Sequence, residues 1–275
     1  MLFLCNRKKV YKSEKKYSMK YLKFLRTYVC LLLGFAAFTA CTLDEEEALI
    51  PEGKGYVKLS LNADAGFQTK AVDESEYSDV DNYTVQILKD GKVIDGMEWN
   101  YTSMPTDLIE LTNGSYELKA FYGVDEAASK QNMYVEGKTP FNINSDKVEA
   151  SVTCRPVCGK VTVKFDSKMA DYFNDYSITF KTNALGDMNI SWAKNDTDPI
   201  YMKVDNNESI GAVYTLVDKQ GKSTTINKSY SLSPMKHLII KVVPTVSSGN
   251  IGITIEVDDT TNDIPVDIEI PSDWK

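Results

Sequence analysis

Apolar and polar residues alternate with a period of two along most of the chain that follows Gly55. Between Val57 and Leu61, every second residue is apolar, and the residues between are Lys58 and Ser60. The same alternation recurs around residues 83–87, 109–111, 116–120, 148–154, 161–165, 178–180, 251–257 and 266–270. Successive side chains of a β-strand point to opposite faces, so this pattern is typical of antiparallel strands with one buried face. It favours a β fold over a helical one.

Turn-forming pairs separate these segments. A glycine beside Asp, Glu or Asn is a common signal for a tight turn between strands. Four such pairs lie between the alternating segments: Asp90-Gly91, Asn113-Gly114, Glu136-Gly137 and Gly249-Asn250. Only Ser167–Phe173 has a helical pattern, and it is short. The sequence therefore predicts an all-β protein of the β-sandwich type.

A break at Pro156–Gly159 divides the β region into two parts. One alternating segment ends at Cys154 and the next begins at Lys160, and Pro156 prevents one continuous strand through both. The 235 residues that follow residue 40 are enough for two β-sandwiches with separate cores. We expect two antiparallel β-sandwich halves, at residues 53–156 and 157–275.

The first forty residues have the order of a secretory signal. Met19 opens a basic stretch, Tyr28–Phe38 is apolar, and Phe38-Thr39-Ala40 brings small residues directly before Cys41. The apolar run is shorter than a comfortable membrane span. We therefore expect residues 1–40 to be a signal peptide, with translation starting at Met19, and the Cys41 thiol to carry a lipid. The alternative is a plain signal peptide cut after Ala40, which leaves Cys41 free.

Acidic residues dominate the chain after the signal. The leader holds 9 of the 31 Lys and Arg and 1 of the 39 Asp and Glu, which leaves a formal charge of −16 on residues 41–275. A surface of this sign repels phosphates and argues against nucleic acid as a partner. Residues 41–52 include Asp44-Glu45-Glu46-Glu47 and are expected to be a solvated tether. The run also resembles the acidic export signal of Bacteroidetes surface lipoproteins, which implies an outer-membrane anchor facing the cell exterior.

Catalytic motifs are missing from the sequence. His237 is the only histidine, and neither a Gly-x-Ser-x-Gly turn, a His-Glu-x-x-His helix nor a glycine-rich phosphate loop occurs. We expect no enzyme activity, no cofactor and no metal site. Cys154 and Cys158 either form a short disulfide or remain two small buried thiols, and both outcomes are open.

Large amphipathic rings give a second candidate activity. Trp99, Tyr101, Trp192 and Trp274 could stack on sugar faces if they were exposed together. Alternatively, they are ordinary core or strand-edge residues. A glycan-binding surface module for polysaccharide capture is the function that exposed rings would support.

A family resemblance adds to this reading. Ile109–Ala120 contains the pattern L-x-x-G-x-Y-x-L-x-A and resembles a hairpin of transthyretin-like β-sandwiches. Together with the leader, Gly55–Asn62, Thr69-Lys70-Ala71 and the later strands, it is similar to a family of uncharacterised Bacteroidetes surface lipoproteins, a domain of unknown function. That family is similar in plan to the fimbrillins.

The fimbrillin plan implies a binding role in adhesion or assembly. Such subunits are matured by a trypsin-like cut that removes a first strand, and a partner's strand takes its place. The resemblance places this cut between Lys70 and Ala71 and makes Val266–Ile270 a candidate donor strand. The alternative is an ordinary loop that is never cut. Strand exchange with protein partners and capture of a glycan ligand are thus the two binding modes in view.

The lipid anchor can be tested directly. We expect Cys41→Ala to move the protein from the membrane fraction to the soluble fraction, because the substitution removes the only acylated thiol in this scheme. Immunoblotting of fractions after a carbonate wash measures the distribution. A Cys41→Ala protein that still sediments with washed membranes would place the anchor elsewhere.

Overall fold

The computed structural model describes residues 52–67, 74–247, 250–258 and 266–269. The first strands in chain order are β1 (Lys54–Ala63), β2 (Thr84–Lys89), β3 (Lys92–Asn100), β4 (Ile109–Thr112), β5 (Gly114–Gly123), β6 (Ala128–Ser129), β7 (Tyr134–Ile143) and β8 (Lys147–Pro156). The following strands are β9 (Cys158–Phe165), β10 (Phe173–Lys181), β11 (Ile190–Ala193), β12 (Ile200–Lys203), β13 (Glu208–Asp218), β14 (Ser223–Leu232), β15 (His237–Ser247), β16 (Asn250–Asp258) and β17 (Val266–Glu269). The predicted all-β fold is confirmed.

Helices are short in the described part of the chain. The α-helix α1 spans Met169–Tyr172, inside the predicted helical segment 167–173, and buries Met169. Three 3-10 turns lie at Ser75–Tyr77, Val80–Asn82 and Tyr101–Ser103. None of the described helices has the length and apolar character that crossing a bilayer requires.

The first half is built on a seven-stranded sheet with the order β3-β2-β5-β7-β8-β1-β4. Its buried residues form one apolar cluster, which runs from Val57 to Cys158 in sequence and also takes in Tyr201. The β7–β8 pairing is short, at Val135↔Pro156 and Glu136↔Arg155. The sheet therefore joins two groups of strands that enclose a common core.

The second half places two sheets around another apolar cluster. One sheet has the order β11-β10-β13-β14, and the other has the order β17-β16-β15-β9-β12-β6. Fully buried side chains from both sheets fill the space between them, for example Ile178 of β10, Tyr214 of β13 and Ile240 of β15. This arrangement is a β-sandwich.

Two strand pairs depart from the predicted antiparallel pattern. β1 runs parallel to β8, and β9 runs parallel to β15. Parallel neighbours need a long connection, and several strands intervene along the chain in both cases. The remaining pairs in the described sheets are antiparallel.

The predicted turns have different outcomes. Asp90-Gly91 joins β2 to β3 with φ of 53° and 73°, as a two-residue hairpin turn requires. The predicted Ile109–Ala120 hairpin is wrong as a pairing, because β4 bonds to β1 whereas β5 bonds to β2 and β7. The strands themselves exist, and Tyr116 and Ala120 face the core as predicted.

Glu136-Gly137 is not a turn but lies inside β7. A Cβ at Gly137 would stand 2.6 Å from the Thr153 carbonyl oxygen, so the glycine permits the close approach of β8. Gly137 is therefore required by the close packing of β7 and β8, and the Glu136-Gly137 pair does not mark a chain reversal.

The predicted boundary between the halves falls between β8 and β9. β6, from before this boundary, pairs with β12 after it through Tyr201↔Ser129 and Met202↔Ala128. The exact division into two domains stays a prediction, and the two halves share strands and side chains where they meet.

Candidate functional site

β1 supplies a row of buried side chains to the first core. Val57 is fully buried, and Leu59 and Leu61 are each 7% exposed. The row continues past the end of the strand to Ala65 and Phe67, which are also buried. Burying a side chain such as Leu stabilises a fold by about 1.5–3 kcal/mol. β1 is therefore a large contributor to the first core.

β1 also completes the backbone ladder on both of its sides. It pairs with β8 over eight residues and with β4 over four. The Tyr56 amide donates to the Asp146 carbonyl at 2.8 Å, and the Asp64 amide donates to the Cys154 carbonyl at 2.9 Å. β4 ends the sheet order, so β1 is its only neighbour among the described strands. Loss of β1 would leave both β8 and β4 with unpaired backbone groups.

Lys160, Glu74, Tyr201 and Phe67 form a polar and aromatic group where the two halves meet, here called the Lys160 cluster. The Lys160 side chain is fully buried, and its Nζ lies 2.7 Å from Oε1 of Glu74. The Tyr201 hydroxyl donates to the same oxygen at 2.8 Å. The ammonium also lies 5.7 Å from the ring centroid of Phe67 and 5.9 Å from that of Tyr201.

The geometry of the Lys160 cluster explains how a charge is tolerated inside the fold. A buried ammonium is costly unless an opposite charge and further polar groups compensate it. Glu74 supplies the charge, and the two aromatic ring faces add a favourable interaction with the cation. Burial and the hydrogen bond to Glu74 raise the pKa of the Tyr201 hydroxyl, so it remains protonated and donates to the carboxylate.

The Lys160 cluster holds both ends of one stretch of chain. Phe67 precedes residues 68–73 and Glu74 follows them, whereas Lys160 and Tyr201 belong to β9 and β12 of the second half. The predicted processing pair Lys70-Ala71 falls in 68–73, outside the described residues. The described residues on either side are thus anchored on the second half.

Sequence patterns missed Lys160 and Glu74. In β9, Val161 and Val163 face the second core, whereas Cys158 and Lys160 occupy the opposite face and are buried as well. β9 is therefore covered on both faces. Cys158 could have indicated this from the sequence, because it is an apolar residue on the same face of the strand as Lys160 and on the opposite face from the two valines.

The two cysteines are free and buried, one of the two outcomes left open by the sequence. The Cys154 thiol donates to the Ala120 carbonyl at 3.3 Å. Burial raises the pKa of both the Cys154 and Cys158 thiols to about 12. Thiols in this state are poor nucleophiles, since the thiolate is the reactive form.

The predicted aromatic face does not form among the described rings. Trp192 is 1% exposed and belongs to the second core, so it is unable to contact a glycan, and its proposed contact was wrong. Trp99 and Tyr101 are half-buried and pack against the first core. Trp99 pairs with the inward-facing Val85, which directs it to the core side of the sheet. Trp274 and Cys41 lie outside the described residues.

Other polar groups in the described part of the chain are engaged in structure. His237 Nε2 lies 2.9 Å from Thr162 Oγ1. Asp196 accepts from the Ala193 amide at 2.8 Å and pairs with Lys130, so this acidic residue stabilises its own loop. The described residues contain no group of three or more His, Cys, Asp and Glu side chains placed to hold a metal ion.

The fold defines the class as a two-core, all-β module, and the comparison with protein families gives its membership. The chain belongs to the family described as Domain of unknown function (DUF4493), which matches residues 53–272. The predicted membership of a domain-of-unknown-function family is confirmed. None of the curated proteins matches the chain.

Several solved structures align with most of the chain. They include a proposed adhesin from Bacteroides ovatus, at 11% identity and TM-score 0.44, covering 82% of this chain and 98% of that chain. A fimbrial assembly protein from Parabacteroides distasonis aligns at 13% identity and TM-score 0.40, covering 78% and 100%. A proposed polysaccharide-binding protein from Bacteroides thetaiotaomicron aligns at 14% and 0.41, covering 82% and 100%. Family membership rests on residues 53–272 and on none of these alignments.

We predict that substituting Glu74 and substituting Lys160 lower the free energy of unfolding by different amounts. Glu74→Gln removes the carboxylate charge that lies 2.7 Å from a fully buried ammonium and should cost about 3–5 kcal/mol. Lys160→Met removes the fully buried charge, and Glu74, whose side chain is 12% exposed, keeps its hydrogen bond from Tyr201, so the cost should be smaller, about 1–3 kcal/mol. Urea unfolding followed by tyrosine fluorescence measures both variants.

Glu110→Gln is the matched control, because Glu110 pairs with Lys54 on an exposed surface. That substitution should change the free energy of unfolding little or not at all. If Glu74→Gln is no more destabilising than Glu110→Gln, the buried pair does not have the importance assigned to it.

Proposed function

We propose that the protein is a non-enzymatic, lipid-anchored surface protein that assembles with other protein chains by replacing its β1 strand. The observation that carries the proposal is the position of β1. It fills the first core with a full row of apolar side chains, yet it is the first strand of the described chain and precedes the segment that contains Lys70.

Removal of β1 would create a site with defined chemistry. The vacated space would be an apolar groove that accepts side chains at alternate positions, where Val57, Leu59 and Leu61 now lie. The backbone groups of β8 and β4 would form its walls and would need a new strand to bond to. An extended partner segment with apolar residues at every second position satisfies both requirements.

A cut between Lys70 and Ala71 would release β1 together with the lipid anchor on Cys41. Glu74, on the other side of the cut, would stay bonded to Lys160 and Tyr201, because that carboxylate belongs to the chain that remains. The bonds of Glu74 to Lys160 and Tyr201 would thus preserve a contact between the halves while β1 and Phe67 leave. This division of contacts supports a cut that alters one strand without unfolding the rest.

Val266–Ile270 is the candidate donor. Its residues Val266–Glu269 form β17, which ends the order of the six-stranded sheet and pairs with β16 over four residues. A short edge strand has fewer bonds to lose than an internal one. The segment alternates Val266, Ile268 and Ile270 with acidic residues, which is the pattern that the β1 groove would accept.

Glycan capture is the weaker alternative. The hypothesis of a glycan site rested on four aromatic residues. Two of them cannot take part in such a site, because Trp192 is buried and Trp99 points to the core side of the sheet. No described feature favours a sugar ligand over a protein strand, so strand replacement is the function we propose.

Limited trypsin digestion tests the proposal. We expect early cleavage after Lys70, release of the fragment that carries β1, and concentration-dependent oligomers of the remaining chain on a sizing column. Lys70→Gln should block both the cut and every oligomer larger than a dimer. Lys92→Gln, at an exposed residue beside the Asp90-Gly91 turn, is the control and should block neither.

Mass spectrometry of the products identifies the site of cleavage. Resistance at Lys70 while other surface lysines are cut would remove the processing step. Cleavage at Lys70 followed by unfolding of a monomer would remove the assembly step and leave a monomeric binder.

A further inference from the structure

β14 is a long sheet edge with few of the features that protect edges. It spans the ten residues Ser223–Leu232 and ends the order of the four-stranded sheet. Its pairing with β13 runs without a register shift from Glu208↔Leu232 to Val217↔Ser223. In an antiparallel pair, alternate residues direct their backbone groups to the neighbouring strand, and the others direct them away. About half of the β14 backbone groups therefore face away from β13.

The other sheet ends in the described part of the chain are protected. β4, β11 and β17 have four residues each, and β6 has two. β3 is longer, but its pairing is interrupted between Gln86 and Leu88 and it carries Lys92, Asp95 and Glu98. Short length, bulges and charges are the usual means of preventing edge-to-edge contact. β14 contains no proline and a single charged residue, Lys228.

We propose that β14 is a self-association edge, on which a second copy of this chain adds its own β14 in antiparallel register about Asn227. This association is separate from the replacement of β1 and requires no cleavage. It would join two four-stranded sheets into one continuous sheet across a twofold axis.

The sequence of β14 is complementary to itself in this register. Asn227 faces Asn227 of the second copy at the axis, and Ile226 faces the aliphatic stem of Lys228. Thr224 faces Tyr230, and no like charges stand directly opposite each other. Opposed pairs of this kind determine the stability of antiparallel strands.

The distribution of charge also favours association of a second copy at this edge rather than at most of the remaining surface. Residues 41–275 carry a formal charge of −16, so two copies repel each other where acidic residues are exposed. The exposed residues of β14 are uncharged: Ser223, Thr225, Asn227, Ser229 and Ser231. Ile226 and Tyr230, half-buried against the second core, would be covered further by the neighbouring copy.

A charge-swap experiment on the uncut protein tests the proposal. Sedimentation velocity at increasing concentration should show a monomer–dimer equilibrium for the native chain. Asn227→Lys places two ammonium groups against each other at the axis, and Asn227→Glu places two carboxylates there. Each variant alone should dimerise at least about fivefold more weakly. A 1:1 mixture should recover the dimer, because Lys then faces Glu.

Ser60→Lys and Ser60→Glu are matched controls, because Ser60 is an exposed strand residue of β1, in a different sheet from β14. Both should dimerise as the native chain does. Hydrogen exchange gives a second readout without any substitution, since β14 amides should gain protection as concentration rises. A native chain that stays monomeric with unprotected β14 amides would overturn the proposal. A dimer that persists in Asn227→Lys alone would overturn it too, and would point to another surface or another strand.

Discussion

The buried ammonium of Lys160 is the constraint on which the meeting of the two halves depends. It has no access to solvent, so a carboxylate has to reach it from another part of the chain, and Glu74 does so across 86 positions in sequence. The ring centroids of Phe67 and Tyr201 lie 5.7 Å and 5.9 Å from the ammonium, and the Tyr201 hydroxyl donates to the same carboxylate. The cluster draws one residue from just before and one from just after the segment that follows β1. The contact between the halves therefore depends on this buried charge, and the two residues flank the segment 68–73.

Much of the strand content could be predicted from sequence because a half-buried strand leaves a period-two pattern. Val57–Leu61 and the strand around Val85 are direct examples. Partner choice could not be predicted, because a turn signal such as Asn113-Gly114 does not specify which strands bond. Here the chain only bends at Asn113, and β4 and β5 bond to different neighbours. The Lys160 cluster was missed for a related reason. A lysine between apolar residues is normally assigned to solvent, and only the packing of the other half covers it.

The same physical requirement explains the two proposed modes of association. A β-strand pairs all of its backbone groups with other strands only when it has a neighbour on each side. β1 has a neighbour on each side, whereas β14 has only one among the described strands. β1 is internal and apolar, so its replacement demands a cut and a donor with matching side chains. β14 is an edge with neutral, polar residues on its exposed positions, so a second copy can add without any rearrangement. One mode would depend on processing and the other on concentration alone.

The most direct measurement of the central claim is the thermal unfolding of the chain without β1, titrated with a peptide of residues 52–67. The β1-free chain is obtained by cleavage at Lys70 and separation of the fragments in mild denaturant. If β1 is a replaceable strand, the unfolding temperature should be lowered by its removal and should rise with peptide concentration by mass action. A peptide with Asp in place of Leu59 and Leu61 should have no effect. An unfolding temperature that does not respond to the native peptide would contradict the account.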